Sequence, residues 1–281
     1  MRVALIHDWL TGMRGGERCL AQFLHMYPTA DIYSLIHIPG RTSPEIDARV
    51  VATSVLQRIP GGTTSYRNFL PLFPLIARSL TVADYDLVIS LSHAAAKNVA
   101  LRNVKRHVCY CFTPMRYIWD MAPVYLGSKL KLAWPIIQLL RKWDVAGAQQ
   151  VDDFVAISRF VSSRIRKFYS RGSAVVYPPV DIARFRSGAE ATRDSYFLYA
   201  GAFVPYKGVE AVIDVFNELR LPLLCVGNEP LESTLKARAA KNIEFVGKAS
   251  DLELAKYYRS ARALLFPAKE DFGIVPIEAM A

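Results

Sequence analysis

Lys207 lies in a loop where its charge could act on a bound ligand. It follows the apolar run 196–200 and a loop from Gly201 to Tyr206, and Gly208 and an amphipathic segment come directly after it. A lysine between a strand and a helix can neutralise a leaving diphosphate as a mobile point charge. The alternative, which the residues alone favour, is a solvated loop lysine whose methylene groups pack on the surface.

Two glutamates further along the chain could bind hydroxyl groups of one ligand. Glu270 follows a predicted buried strand, and Glu278 lies in the helix predicted after it. The backbone amides of Asp271, Phe272 and Gly273 precede that helix and could face the anionic part of the ligand. Both carboxylates could then accept hydrogen bonds from its hydroxyl groups. The alternative is a helix N-terminus that is rich in acidic residues because of the helix dipole.

A glycine-rich turn follows the first predicted strand and opens the first predicted helix. Its sequence is Gly12-Met13-Arg14-Gly15-Gly16-Glu17. Gly15 and Gly16 would let the backbone approach a ligand, and the free amides of a helix N-terminus favour an anion. The spacing differs from the GxGxxG of dinucleotide-binding folds, which argues against a nicotinamide cofactor. A tight turn that requires small residues explains the glycines equally well.

His93 comes at the end of another predicted strand, in the sequence Ser90-Leu91-Ser92-His93. Ligands of open parallel sheets bind at this end of the strands. His93 could therefore donate a hydrogen bond to a phosphate or to a sugar hydroxyl, although a single histidine is more often structural.

No metal site is predicted. Asp84-Tyr85-Asp86 has the DxD spacing that can hold a metal-bound nucleotide diphosphate, but it lies at the start of a predicted strand, the wrong end for a ligand. A turn that leads into the strand is the favoured explanation. Cys109 and Cys111 would share one face of a strand without a further Cys or His set, so we interpret them as small buried side chains.

Short apolar runs alternate with amphipathic segments along the chain, which predicts parallel strands covered by helices on both faces, an α/β fold. Strands are predicted at 2–6, 32–36, 87–90, 108–111, 196–200, 223–226, 243–246 and 263–266. Helices are predicted at 16–26, 209–219, 231–240, 252–260 and from 274 onward. The alternation stops at Pro178-Pro179 and restarts after a polar, basic stretch. We therefore predict a doubly wound domain over 1–175, a hinge over 176–194 and a second domain over 195–281, incomplete because no C-cap signal ends its last helix.

Composition narrows the class of protein. The chain has 281 residues, enough for two domains of ordinary size or one unusually large one. Of these residues 52% are hydrophobic and 21% charged, so the chain can bury a core and is not disordered. The densest apolar runs, 69–77 and 132–140, are about half as long as a bilayer span and contain proline, so no transmembrane segment is predicted. The first strand runs straight into His7-Asp8, without a secretory signal. The number and spacing of the four cysteines indicate neither a disulfide framework nor a CxxC metal site. We expect a cytoplasmic protein.

The net charge of +10 is concentrated in the N-terminal half. Residues 1–150 carry 17 Lys and Arg against 9 Asp and Glu, and residues 151–281 carry 18 against 16. The positive electrostatic potential of such a charge distribution could attract nucleic acid, an anionic membrane or a phosphorylated substrate. The stretches 66–78 and 129–143 mix basic, aromatic and aliphatic side chains, which suits a helix on anionic lipid or, equally, a surface helix with an apolar inner face. No nucleic-acid-binding motif is present, so nucleic acid is not expected as a partner.

The order of these motifs resembles the retaining glycosyltransferases of family 4. The resemblance covers essentially the whole chain and is carried by Gly15-Gly16-Glu17, Ser92-His93, Ile157-Ser158-Arg159-Phe160-Val161, Tyr177-Pro178-Pro179-Val180-Asp181, Lys207-Gly208 and the stretch 267–281. That last stretch, PAKEDFGIVPIEAMA, is similar to the E-x7-E signature of the family. His7-Asp8-Trp9-Leu10 and the stretch from Cys111 to Asp120 look most like the mannosyltransferase branch that builds O-antigen and capsule polysaccharides.

The resemblance implies a GT-B fold, in which two Rossmann-like domains face each other across a cleft, and a reaction that requires no metal. The activity it implies is transfer of a hexosyl group, with mannosyl favoured, from a nucleotide sugar to a lipid-linked saccharide with retention of configuration. GDP-mannose is the favoured co-substrate, and no further cofactor is implied. The protein would work in the cytoplasm, at the cytoplasmic face of an anionic membrane.

The resemblance also implies roles for single residues. Lys207 would stabilise the leaving diphosphate, and Gly15 and Gly16 would approach it. Glu270 and the amides of Asp271, Phe272 and Gly273 would hold the sugar, and Glu278 the ribose. His93 would lie near the donor sugar, with a weaker match. The expected catalytic set is thus Lys207, Glu270 and His93, and the remaining residues would bind the donor.

Two departures from the family pattern support an alternative. Ala202 stands where the family usually has an arginine, so one of two cations expected at the diphosphate is missing. Family members also continue past the E-x7-E helix for roughly another 100 residues, through the rest of the second sheet. The alternative is a truncated, non-catalytic relative that binds a nucleotide sugar or a partner without turnover.

Overall fold

The computed structural model describes residues 1–186, 196–228 and 230–281, which form two compact units, Met1–Pro179 and Val180–Ala281. Each unit has its own parallel sheet and its own apolar core. Residues 187–194 of the predicted hinge 176–194 lie outside the described residues.

The first unit is a layered arrangement of parallel strands and helices. Its strands are β1 (Val3–Leu10), β2 (Asp31–His37), β3 (Val50–Thr53), β4 (Thr81–Tyr85), β5 (Leu87–Ser92), β6 (Ala100–Val104), β7 (His107–Cys111), β8 (Asp153–Ala156) and β9 (Ala174–Val175). Its helices are α1 (Gly15–Met26), α2 (Pro44–Asp47), α3 (Phe73–Arg78), α4 (Ala122–Leu126), α5 (Leu130–Gln149) and α6 (Arg159–Tyr169). Short 3₁₀ turns lie at Val55–Arg58, Tyr66–Leu72, Ala96–Asn98 and Gly127–Lys129.

The main sheet of this unit has the order β3-β2-β1-β5-β7-β8-β9, with every neighbouring pair parallel. β1 lies between β2 and β5, and all eight of its residues are buried. A strand in this position is covered on both faces, which is why it is apolar at nearly every residue. The predicted strand ended at Ile6 and was four residues too short, because the buried side chains of His7 and Asp8 look in the sequence like a loop.

A second, two-stranded parallel sheet pairs β4 with β6 and was not predicted. β4 buries Val82 and Tyr85, and β6 buries none of its residues. Both strands carry polar side chains such as Asp84 and Asn103, which both adopt a left-handed backbone conformation. Asp84 Oδ1 accepts a hydrogen bond of 3.0 Å from Asn103 Nδ2. Local polar contacts of this kind hide a strand from an analysis of apolar runs.

The second unit repeats the pattern on a smaller scale. Its described elements are α7 (Ile182–Arg186), β10 (Phe197–Ala200), a 3₁₀ turn (Pro205–Lys207), α8 (Val209–Leu219), β11 (Leu223–Val226), α9 (Glu232–Arg238), β12 (Ile243–Gly247), α10 (Asp251–Ser260), β13 (Ala263–Leu265) and α11 (Ile274–Met280). The described strands form one parallel sheet with the order β12-β11-β10-β13.

Two helices of the second unit show a buried apolar face and an N-terminal cap that are typical of helices in globular proteins. α8 buries Val209, Val212, Ile213 and Phe216, a spacing that lines one face of a helix. α10 begins with a capping box, in which the Ser250 N–H donates to Glu253 Oε2 over 2.7 Å and Ser250 Oγ accepts from the Glu253 N–H. The predicted α/β fold with parallel sheets is confirmed.

Candidate functional site

The glycine turn of the first unit follows β1 and places Gly15 and Gly16 in the first turn of α1. The Arg14 N–H donates to Glu17 Oε2 over 3.0 Å, and burial raises the pKa of that glutamate. A Cβ atom on Gly15 would have no heavy atom within 4 Å, whereas one on Gly16 would lie 3.1 Å from Nε2 of His7. A side chain at position 16 would therefore press on the His7 ring, while the backbone of Gly15 has open space above it.

The imidazole of His7 lies beneath this turn and is buried. Its Nδ1 is 3.0 Å from the carbonyl oxygen of Trp9, which can only accept, so Nδ1 carries a proton. Nε2 then presents a lone pair that has no hydrogen-bond partner among the described residues. Burial, followed by the proximity of His93, lowers the pKa of His7 to about 4. The ring is therefore neutral at neutral pH.

Asp8, the next residue of β1, binds the backbone of the loop that follows β5. Its Oδ2 accepts hydrogen bonds from the N–H groups of His93 at 2.6 Å and Ala94 at 2.9 Å. Its Oδ1 accepts from Ala95 at 2.6 Å and Ala96 at 2.7 Å. The Asp8 side chain is fully buried, so these four amides replace the water that its charge would otherwise require.

His93 lies at the carboxyl end of β5, beside β1, as its position in the sequence predicts. Its Nδ1 is 3.1 Å from Oδ2 of Asp8, and its side chain is 26% exposed. The ring of Trp9 meets it edge-on, with centroids 4.5 Å apart and an interplanar angle of 88°. A partly open imidazole, fixed by a carboxylate and an indole, can hydrogen-bond a polar ligand at this end of the sheet.

In the second unit, the structure brings Lys207 and Glu270 together. Lys207 ends the turn after β10, Glu270 follows β13, and these two strands are neighbours. The Nζ atom of Lys207 forms an ion pair with Glu270 Oε1, and each side chain is about a fifth exposed. Gly208 has a φ of +69°, and its ideal Cβ would lie 3.0 Å from Cγ of Pro267, so a side chain would be strained where the two loops meet. The pair forms a polar centre at the carboxyl end of the sheet.

The segment between Glu270 and α11 is compact. Asp271 is buried, and Gly273 precedes the helix with a φ of +79°, a conformation that favours glycine. Phe272 lies between them, half-buried. Glu278 is buried within α11, where its Oε2 accepts a hydrogen bond of 3.4 Å from the hydroxyl of Tyr258. The carboxylate of Glu278 raises the pKa of that tyrosine, in addition to the larger effect of burial.

The DxD pattern takes part in structural contacts. Asp86 Oδ2 accepts from the Arg2 N–H over 2.8 Å, and its Oδ1 lies 2.6 Å from Nζ of Lys105. Both acids precede β5, whose opposite end carries His93. Cys109 and Cys111 are buried free thiols. No group of three or more His, Cys, Asp or Glu side chains in the described ranges could hold a metal ion.

α5, which contains most of the second basic and aromatic stretch, exposes several apolar side chains. Leu132 is 87% and Leu139 64% exposed, and Trp134 and Ile136 are exposed as well. The inner face of the helix buries other residues, Ile137 and Leu140 among them. The first stretch likewise exposes Leu72 and Leu75. None of the helices in the described part of the chain has both the length and the apolar character needed to cross a membrane.

Asp8 is the site residue that sequence reasoning missed. It belongs to the quoted phrase His7-Asp8-Trp9-Leu10, but no role was predicted for it. The signal was present, because an acidic residue inside an otherwise apolar run must have buried hydrogen-bond donors if the run is a strand.

At Ala202, where an arginine was expected, the carbonyl oxygen accepts a 3.4 Å hydrogen bond from the hydroxyl of Tyr199.

The chain is similar to a known protein family and to curated proteins over part of its length. Residues 181–281 match the family described as Glycosyl transferases group 1. The chain is similar to the O-antigen chain mannosyltransferase C of Escherichia coli, with 32% identity over 105 residues, 35% of this chain and 28% of that protein. It is also similar to the D-rhamnosyltransferase WbpZ of Pseudomonas aeruginosa, with 28% identity over 145 residues, 46% of this chain and 38% of that one. The matches thus span 28 to 38% of these relatives.

Solved structures share the fold. The Anabaena protein Alr3699/HepE, solved with UDP, aligns with a TM-score of 0.68 and 15% identity over 100% of this chain and 78% of its own. The catalytic domain of Arabidopsis thaliana Starch Synthase IV, solved with ADP and acarbose, aligns with a TM-score of 0.57 and 9% identity over 100% and 81%. The chain therefore has the α/β fold of GT-B glycosyltransferase structures, and its residues 181–281 match the glycosyl transferases group 1 family.

Proposed function

We propose that the chain is a glycosyltransferase that moves a hexosyl group, with mannosyl favoured, from a nucleotide sugar to a lipid-linked saccharide in cell-surface polysaccharide synthesis. The observation that carries the proposal is the Lys207–Glu270 pair at the carboxyl end of the second sheet, within the segment that matches the glycosyl transferases group 1 family. The names of the mannosyl- and rhamnosyltransferase relatives support the choice of sugar.

Charge stabilisation at the diphosphate is the main catalytic contribution in this proposal. The bond between the sugar C1 and the diphosphate oxygen breaks, and the acceptor hydroxyl bonds to C1 on the same face, so configuration is retained. The leaving diphosphate takes the proton of that hydroxyl, and Lys207 neutralises its charge. Glu270 would then be released from its ion pair to accept hydrogen bonds from the sugar hydroxyls. No metal takes part in this proposal.

The remaining predicted residues bind the donor. The amides of Asp271, Phe272 and Gly273 would contact the sugar, and Glu278 would bind the ribose. Gly15 and Gly16 would approach the diphosphate, and the open space above Gly15 supports that role for it. His93 would contact the sugar. GDP-mannose is the favoured donor.

The activity is tested by incubating the chain with GDP-mannose, UDP-glucose and other nucleotide sugars together with polyprenyl-diphosphate-linked saccharides. Mass spectrometry detects the extended product, NMR gives its anomeric configuration, and a parallel reaction contains EDTA. We expect an α-linked mannosyl product, formed at the same rate with EDTA. An inverted linkage would overturn the retaining mechanism, and transfer abolished by EDTA would overturn metal independence.

A second candidate follows from Ala202, which supplies no cation to the diphosphate. In that case the chain binds a nucleotide sugar without turnover. Calorimetry with GDP-mannose and GDP distinguishes the two candidates, because a non-catalytic relative would bind the donor and form no product. A chain that neither binds nor transfers would overturn both.

We propose further that α5 rests on an anionic membrane surface, which would bring the first unit to a lipid-linked acceptor. Leu132 and Leu139 would insert among the lipid headgroups, and the exposed side chains of Lys129, Lys131 and Lys142 would contact anionic lipid. Flotation with phosphatidylcholine vesicles, with and without phosphatidylglycerol, tests this. We expect binding to the anionic vesicles that is lost on replacing Leu132 and Leu139 with Glu. Leu252→Glu is the matched control, because Leu252 is 78% exposed on α10 in the second unit. Equal binding by all variants would contradict the proposal.

A further inference from the structure

The side chain of Asp8 contacts both the backbone and the imidazole ring of His93, the residue predicted to contact the sugar. Its carboxylate accepts hydrogen bonds of 2.6 to 2.9 Å from the backbone N–H groups of residues 93–96, and its Oδ2 is 3.1 Å from Nδ1 of His93. Because a lone pair on Nδ1 would repel the carboxylate at this distance, the Asp8 charge favours the neutral His93 tautomer that carries its proton on Nδ1.

Neighbouring aromatic rings restrict the remaining freedom of His93. Trp9 meets the ring edge-on at 4.5 Å, while His7 and Phe112 lie 6.2 Å from it between centroids. His93 is thereby fixed by the strand next to its own, at the end of the sheet where ligands bind.

The same loop is held a second time, just beyond the amides that Asp8 binds. Lys97 is buried and forms an ion pair with Asp144 of α5, and its Nζ donates to Asn98 Oδ1 over 2.7 Å. The 92–98 segment is therefore anchored at both ends by buried charges, and His93 lies at its partly open end.

We propose that Asp8 is a positioning residue that sets the tautomer and orientation of His93, so that Nε2 of the neutral ring accepts a hydrogen bond from a hydroxyl of the transferred sugar. This role rests on the proposed function. Holding the ring before the ligand arrives lowers the entropy cost of forming that hydrogen bond. Asp8 acts through His93 and does not touch the sugar.

The tautomer of His93 is measurable without any substrate. Two-bond ¹H–¹⁵N NMR correlations on the ¹⁵N-histidine-labelled full chain distinguish Nδ1–H from Nε2–H. At about pH 8.5, two units above the ordinary histidine pKa, we expect Nδ1–H for His93 in the wild type and a shift toward Nε2–H in Asp8→Asn. Asp47→Asn is the matched control, because Asp47 Oδ1 lies 2.8 Å from His37 Nε2. It should change the spectrum of His37 and leave that of His93 unchanged.

Transfer kinetics then test whether Asp8 acts through His93. Asp8→Asn and His93→Ala should each lower kcat/KM at least tenfold, and the double variant should lose no more than the larger single loss. Losses that multiply, or Nε2–H on wild-type His93, would overturn the proposal. The wild-type spectrum decides the tautomer even where Asp8→Asn fails to fold. If the chain transfers no sugar, the spectra still test the Asp8–His93 relationship, so the two proposals fail separately.

Discussion

The ammonium group of Lys97 and the carboxylate of Asp144 form an ion pair in which both side chains are buried. Asp144 Oδ2 also accepts hydrogen bonds of 2.8 Å from Trp119 Nε1 and from the hydroxyl of Tyr169. The pair joins the loop after β5 to α5, the helix with the exposed leucines. It is therefore a structural link between the His93 loop and the proposed membrane surface.

Replacing Asp144 with Ala should lower the free energy of unfolding of the first unit by about 3 to 5 kcal/mol, because the ammonium of Lys97 would remain buried without its counter-charge. Urea titration followed by tryptophan fluorescence measures this unit, since all four tryptophans, Trp9, Trp119, Trp134 and Trp143, lie in it. Asp153→Ala is the control and should change stability little, because its ion pair with Arg106 is exposed. Equal losses in the two variants would show that burial of the pair contributes nothing.

Gly16→Ala should destabilise the first unit by about 1 to 3 kcal/mol, because the added methyl group would press on an imidazole that is buried and hydrogen-bonded. Gly15→Ala is the matched control, since its methyl group would meet no heavy atom within 4 Å. Fluorescence-detected urea unfolding gives both values. If Gly15→Ala keeps its stability but loses donor affinity, the open space above Gly15 serves the ligand. Similar destabilisation by both variants would contradict the assigned contact with His7.

Lys207→Ala should lower kcat for the proposed transfer by about 100- to 1,000-fold, the usual cost of removing a group that stabilises charge in the transition state. Lys236→Ala should leave the rate unchanged, because Lys236 pairs with Glu232 on the exposed surface of α9. Initial rates measured at saturating nucleotide sugar give kcat without a contribution from donor binding. A change confined to KM would mean that Lys207 contributes only to ground-state binding.

The stability of the first unit should fall as the pH is lowered from about 6.5 to about 4. Burial lowers the pKa of His107 from its ordinary value of 6.5 to about 4. In this range the unfolded chain binds a proton that the folded chain excludes, so acid favours unfolding, by up to about 3 kcal/mol for this residue. His107→Phe removes one of the two titrating groups and should reduce the slope in this range, and His7, whose pKa burial also lowers to about 4, accounts for the rest. An unchanged slope in urea titrations at a series of pH values would assign the acid sensitivity to other groups.

Much of the fold could be predicted because buried parallel strands are continuous apolar runs, such as Leu223–Val226, which the structure reproduces residue for residue. Lys207 and Glu270 were identified one at a time, from their positions after strands. That they form a pair follows from the strand order, because β10 and β13 are neighbours although a helix-rich segment separates them in sequence.

Buried polar residues were harder to predict. Asp8 looks like the start of a loop until its partners, 85 to 88 residues away, are known. Lys97 and Asp144 look like surface charges for the same reason, since they are 47 residues apart. Sequence patterns report local periodicity, whereas a charge can remain inside a protein only when distant groups compensate it.

The contact between Asp8 and four consecutive amides also constrains how the gene can change. One added or deleted residue between 93 and 96 would shift the register of the N–H groups and leave the carboxylate with too few donors. Proteins that keep an acid at this point of the first strand should therefore keep this loop at constant length, while chains that have lost the acid are free to vary it. This pairing of an acidic residue with a fixed loop length offers a way to align the sequences of distant relatives whose overall sequence identity is too low for a reliable alignment.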